Sequence, residues 1–109
     1  MKVAVEAALE VPVLAECRRE IRRLHGCSAR FERFEAVPEA KGLARRVVAI
    51  FALEGHPALQ CFAWAEAGER GVTVVAVLRS MEILGPADAV RYVVALERSS
   101  QERWTQEYA

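Results

Sequence analysis

Asparagine is missing from this sequence, and the residues that usually announce chemistry are scarce: two histidines and three cysteines in 109 residues. No apolar run approaches the ~20 residues a membrane-spanning helix needs, so no transmembrane segment is expected. The opening Met1-Lys2-Val3-Ala4-Val5-Glu6 has no long apolar stretch of the kind that directs secretion, and a cytoplasmic location is the default expectation. Cys17, Cys27 and Cys61 are odd in number and never spaced C-x-x-C, which fits free thiols in a reducing compartment. Low-complexity tracts, linkers and internal repeats are lacking too, so residues 1–109 are expected to form a single α+β domain. Arginine, glutamate, alanine and valine are plentiful in place of asparagine, a pattern shared by GC-rich and heat-adapted sources.

Catalytic motifs are as thin as the composition suggests. Gly68-Glu69-Arg70-Gly71 lacks both the lysine of a phosphate-binding loop and the spacing of a dinucleotide fold. Cys17, His25, Cys27, His56 and Cys61 are the available metal ligands, but no spacing among them matches a zinc site, and no metal or cofactor is expected. Cys61 with His56 as base would be a nucleophile in the middle of an apolar strand, where a thiol is hard to ionise and hard to reach. Glu54, Glu66 and Glu82 fall at strand ends rather than converging as an acid–base pair. An enzyme is unsupported.

What the chain has is apolar strand. Arg45 to Glu66 contains two runs rich in β-branched and aromatic residues, broken by Gly55-His56-Pro57, and reads as a central β-hairpin. Setting Leu53 opposite Leu59 puts Phe51 against Cys61, Ala49 against Ala63, Ile50 against Phe62 and Val48 against Trp64, with Arg46 facing Glu66 at the open end. One face is then small (Ala49, Cys61, Ala63, Ala65) and the other bulky (Val48, Ile50, Phe62, Trp64). Neither face alternates with polar residues, so each needs a cover.

Around the hairpin, Leu14, Cys17, Ile21 and Leu24 have the three-four-three spacing of an amphipathic helix that begins near Pro12 and ends at Gly26 as a left-handed cap. Ala29–Val37 is open to helix or strand, because Phe31 and Phe34 are three apart as on a helix; a strand carrying a bulge is preferred, since Pro38 follows immediately and the charges suit a sheet edge. Val72–Arg79 is a further strand with almost no charge along it, an open edge expected to pair with Lys2–Glu6 or with another chain. Gly85-Pro86-Ala87-Asp88 opens a second helix with a stripe at Ala89, Val90, Val93, Val94 and Leu96, and Ser99-Ser100 is a candidate break. Trp104 and Tyr108 lie four apart beyond it. The expected fold is a four-stranded antiparallel sheet with two helices on its small-residue face, five-stranded if Lys2–Glu6 joins as a strand, although Glu6–Glu10 equally suits the start of a helix.

That arrangement would leave the bulky face open. With Val48, Ile50, Phe62, Trp64 and, on the last strand, Val74 and Leu78, it would exceed the apolar patch of an ordinary monomer. A sheet-on-sheet homodimer is the leading expectation, rimmed by Arg46, Gln60 and Glu66, and a small apolar ligand is the alternative occupant.

Charge supplies the rival reading. Arg18 to Arg46 holds nine basic and four acidic residues, +5 against −5 for the rest of a neutral chain. Arg18, Arg19, Arg22 and Arg23 lie on the polar side of the first helix, a nucleic-acid-binding candidate that Arg30, Arg33, Arg45 and Arg46 would enlarge. Glu16 and Glu20 stand three residues before Arg19 and Arg23 and would neutralise part of it. The helix-strands-helix order resembles that of double-stranded-RNA-binding domains, but their basic Lys-Lys-x-Ala-Lys entry to the last helix is here Pro86-Ala87-Asp88-Ala89. The family is not assigned.

Overall fold

The structure, a computed structural model, describes residues 12–39, 44–68 and 71–108; side chains at 57, 58, 67, 68 and 98–108 are outside the description. Helix α1 (Leu14–His25) leads into strands β1 (Ala29–Val37), β2 (Arg46–Leu53), β3 (His56–Gly68) and β4 (Gly71–Leu78), and helix α2 (Pro86–Tyr108) closes the chain. The strands form one antiparallel sheet in the order β1-β2-β3-β4, as expected of an α+β chain with two helices packed on a four-stranded sheet. The Lys2–Glu6 expectation lies outside the described residues.

Local chemistry explains most of the element ends. Gly26 adopts φ 68° and its N–H bonds the Arg22 carbonyl at 2.9 Å, so α1 ends in the left-handed cap that a residue without Cβ adopts at little cost. At its other end α1 begins at Leu14 rather than Pro12, with Val13 extended at the cap. Pro86 opens α2, where its missing N–H costs nothing. Just inside, Asp88 accepts the Leu84 N–H at 3.2 Å and an Arg91 guanidinium N–H at 2.5 Å, which together hold its carboxyl below the usual range. Ser99 and Ser100 do not break α2, which runs on to Tyr108.

The hairpin keeps its central register: Phe51 faces Cys61, Ile50 faces Phe62 and Ala49 faces Ala63. Its tip differs, because Leu53 pairs with His56 across a tight turn at Glu54-Gly55, where Gly55 has φ 83°. Ala52 then pairs with Gln60, so residues 57–59 of β3 bulge out of the ladder. Pro57 cannot donate to a ladder, and a bulge is one of the few places a strand accommodates it. On β1 the register shift falls between Phe31 and Arg33, which returns Phe34 to the same side as Phe31; their rings lie 4.8 Å apart.

The helices do not share a face. Leu14, Cys17 and Ile21 of α1 pack with Ala49, Phe51, Leu53, Cys61, Ala63 and Ala76. Ala87, Ala89, Val90, Val93 and Val94 of α2 pack with Val37, Val48, Ile50, Phe62 and Trp64. Successive strand residues point to opposite sides, so Phe51 and Ile50 cannot be under the same helix: the sheet is sandwiched, one helix to each face. The expectation of both helices on the small-residue face is thereby corrected. Leu24 and Leu96, assigned to apolar stripes, are instead about half exposed, at 45% and 51%.

Phe62 is therefore a core residue of the single chain. Phe62→Ala should lower unfolding stability by about 3–5 kcal/mol, the usual cost of deleting a buried phenyl ring. Urea unfolding followed by tryptophan fluorescence measures it; a loss near zero would mean that α2 does not cover this face.

Candidate interaction surface

Four of the six residues expected to form a partner or ligand face are sealed. Val48 and Trp64 are 0% exposed and Ile50 and Phe62 1%. α2 lies over them with Ile83, so these four side chains present no open surface to a partner or a ligand. The other two, Val74 and Leu78, are on the opposite side, against α1. The cause is the second turn: pairing Gly68 with Gly71 sets Trp64 opposite Val75 and Phe62 opposite Val77. Strand parity then sends Val75 and Val77 to the bulky face and Val74 and Leu78 to the small one. A cavity of about 280 Å³ lined by Arg30, Ala52, Leu53, Glu54 and Gly55 includes none of the six.

Arg46 and Glu66 meet as their register requires. The Arg46 Nε–H donates to Glu66 Oε1, and Nη2 donates to Oε2 at 3.2 Å, a two-point contact with both side chains 14% exposed. The buried Trp64 indole N–H donates to the same Oε1 at 2.7 Å. This cluster has its donors and acceptors matched, and it secures a tryptophan that would otherwise bury an unpaired N–H. It is an anchor for the bulky face rather than a place for a partner.

The arginines do not gather into one surface. Arg18, Arg19, Arg22 and Arg23 are exposed on α1. Arg30 and Arg33 pair with Ala52 and Ile50, which places them on the α2 side of the sheet. Arg23 bonds Glu20, at 3.1 Å through Nε, which lowers the Glu20 pKa. Glu16 forms no such pair with Arg19, and Arg18, Arg19 and Arg22 have no ion-pair partner among the described residues.

The sheet's two edges differ in kind. β1 carries Arg30, Glu32, Arg33 and Glu35 and a bulge, the devices that discourage pairing with another strand. β4, Gly-Val-Thr-Val-Val-Ala-Val-Leu, carries no charge and no bulge. Among the described residues, no strand pairs with its outer side. The Arg79 N–H bonds the Gln60 carbonyl at 2.8 Å, so Gln60–Arg79 is a hydrogen-bonded pair. Alternation along the ladder then turns the backbone groups of Gly71, Thr73, Val75 and Val77 toward β3 and those of Val72, Val74, Ala76 and Leu78 away from it. Val72 is 67% exposed at this edge.

Burial pushes the Cys17 thiol up to about 11, with the Glu16 charge adding to it, and the Cys61 thiol up to about 12, with Cys17 as its neighbour. Cys27 is half-buried and its thiol contacts the His25 carbonyl at 3.4 Å; the His25 Nε2 is buried without a hydrogen-bond partner among the described residues. His56 is exposed at the hairpin tip. Among the described residues no three of His, Cys, Asp and Glu stand together as metal ligands, and no helix is long and apolar enough to cross a membrane.

A thiol reagent at pH 8 should therefore label Cys27 alone in the folded protein and all three cysteines in denaturant, counted by absorbance of the released chromophore. Rapid native labelling of Cys61 would show that the α1 side of the sheet opens readily. The chain matches no protein-family model, no curated protein and no solved structure.

Proposed function

We propose that this chain is a self-associating interaction protein that joins a second copy through the outer edge of β4, forming a homodimer with a continuous sheet. The observation that carries the reading is the contrast between the edges: charge and a bulge blunt β1, and neither is present on β4. Each outward backbone group on β4, without a strand partner among the described residues, is a donor or acceptor that another strand satisfies, and the small exposed Val72 gains apolar cover from the same event. The bulky face plays no part, being filled by α2.

Light scattering on gel-filtered protein at micromolar concentration should give twice the 12.1 kDa of the chain. Val72→Lys places a charge on the edge, and Ala76→Pro removes an N–H that faces away from β3 and meets no strand among the described residues. Both should shift the mass toward monomer while the circular dichroism stays native. A monomer at high micromolar concentration would sink the proposal.

A second reading has one observation in its favour. Arg18, Arg19 and Arg22 stand close together on the exposed side of α1 with no carboxylate partner among the described residues, a disposition that suits a polyanion. Under this reading α1 lies along the phosphates of a nucleic acid duplex. Anisotropy of labelled duplex RNA and DNA at low salt should show binding that weakens steeply as salt rises. Changing Arg18, Arg19, Arg22 and Arg23 to glutamine should flatten the salt slope by about 1 for each phosphate contact removed. Absence of binding at low salt would end it.

A further inference from the structure

We infer that the two-fold axis of the β4–β4 pairing passes through Val75, an inference that rests on the proposed assembly and adds its register. The outward-facing groups belong to Val72, Val74, Ala76 and Leu78, a set symmetric about Val75. An antiparallel partner related by that axis sets Val74 opposite Ala76 and Val72 opposite Leu78, and each of these pairs exchanges both of its hydrogen bonds. Moving the axis to Val74 leaves Leu78 without a β4 partner, and moving it to Ala76 leaves Val72 without one. Only the central axis satisfies every outward group on both edges.

Side chains agree with this register. Val74, Ala76 and Leu78 belong to the α1 side of the sheet, and strand alternation puts Val72 there too. The 67% exposed Val72 then lies beside a leucine of the second copy, an apolar cross-strand pair of the kind that stabilises sheets. A two-fold axis brings each residue near its own equivalents, so a charged strand would repel itself there. β4 has no charge from Gly71 to Leu78. A second copy is therefore the occupant that this edge fits, group for group.

At the axis, Val75 faces its counterpart in a non-hydrogen-bonded pair, with Cα atoms ~4.5 Å apart, inside the range a disulfide spans. Thr73 lies opposite Val77 of the other copy, while two Thr73 residues stand about 14 Å apart at ~3.4 Å per residue. The experiment uses the full chain with Cys27→Ser, mild oxidation and non-reducing electrophoresis, alongside light scattering of the unsubstituted protein. Val75→Cys should link to itself; Thr73→Cys and Val77→Cys should each stay unlinked alone and link when mixed. The mixed pair keeps the register testable if Val75→Cys folds poorly.

A dimer in which both the Val75→Cys chains and the Thr73→Cys/Val77→Cys mixture stay unlinked would overturn the register and leave the assembly standing. Linking of Val75→Cys to Thr73→Cys or to Val77→Cys in preference to itself would do the same, by moving the axis one residue. An unsubstituted chain that is monomeric, with the amides of Val72, Val74, Ala76 and Leu78 protected from exchange, would overturn both and assign the edge to another segment of the same chain.

Discussion

A sheet with no polar face is the constraint on which this protein depends. β2 is buried from Val48 to Leu53 without alternation, and β3 is buried from Cys61 to Trp64. Strands of that kind are ordinarily found where both faces are covered, and here an antiparallel sheet meets the same requirement with one helix on each side. Covering Phe62 or Trp64 removes on the order of 150–250 Å² of aromatic surface from water, far more than any single surface ion pair contributes. The positions of α1 and α2 follow from that imbalance.

The two layers solve different packing problems. On the α1 side Ala49, Cys61, Ala63 and Ala76 keep the sheet surface low beneath Cys17 and Ile21, with Phe51 and Phe31 stacked edge-on at 5.8 Å beside them. On the α2 side the sheet supplies the bulk, and the helix answers with Ala87, Ala89, Val90 and Val93. Large residues meet small ones across both interfaces, which is how an interior reaches close packing without voids. Trp64 brings an N–H into this apolar layer, and Glu66, held by Arg46, receives it at 2.7 Å. A single carboxylate thus serves a buried indole and an ion pair that straddles β2 and β3.

Covering the faces leaves the edges. A sheet of four strands ends twice, and the charges of β1 and its bulge at Glu32 make one end a poor template. β4 ends the sheet with valines, an alanine and a threonine. The proposed association would use the residues whose backbones face outward, a different set from the large side chains that draw attention in the sequence. Hydrophobicity located the core of this protein, and hydrogen-bond direction located its candidate contact.

Much of the fold was legible. Two apolar runs around Gly55-His56-Pro57, with Arg46 and Glu66 at matching distances from the break, pointed to the hairpin and its central register, while the sequence alone left a slip of one residue open. The three-residue spacing of Phe31 and Phe34 fitted a helix as well as a bulged strand, and Pro38 and the edge charges favoured the bulge that is found there, as Gly26 did the cap. The doubly apolar character of β2 and β3 was equally plain. Which helix covers which face was decided only in three dimensions, since α1 and α2 each present one apolar stripe and periodicity does not say toward which side of the sheet it turns. The side to which Val74 and Leu78 point was settled by the tight pairing of Gly68 with Gly71, because moving a strand by one residue reverses every side chain on it. Local preference sets the elements and their pairing; parity and chain reversal, which belong to the assembled sheet, choose what is buried and what is left at the edge.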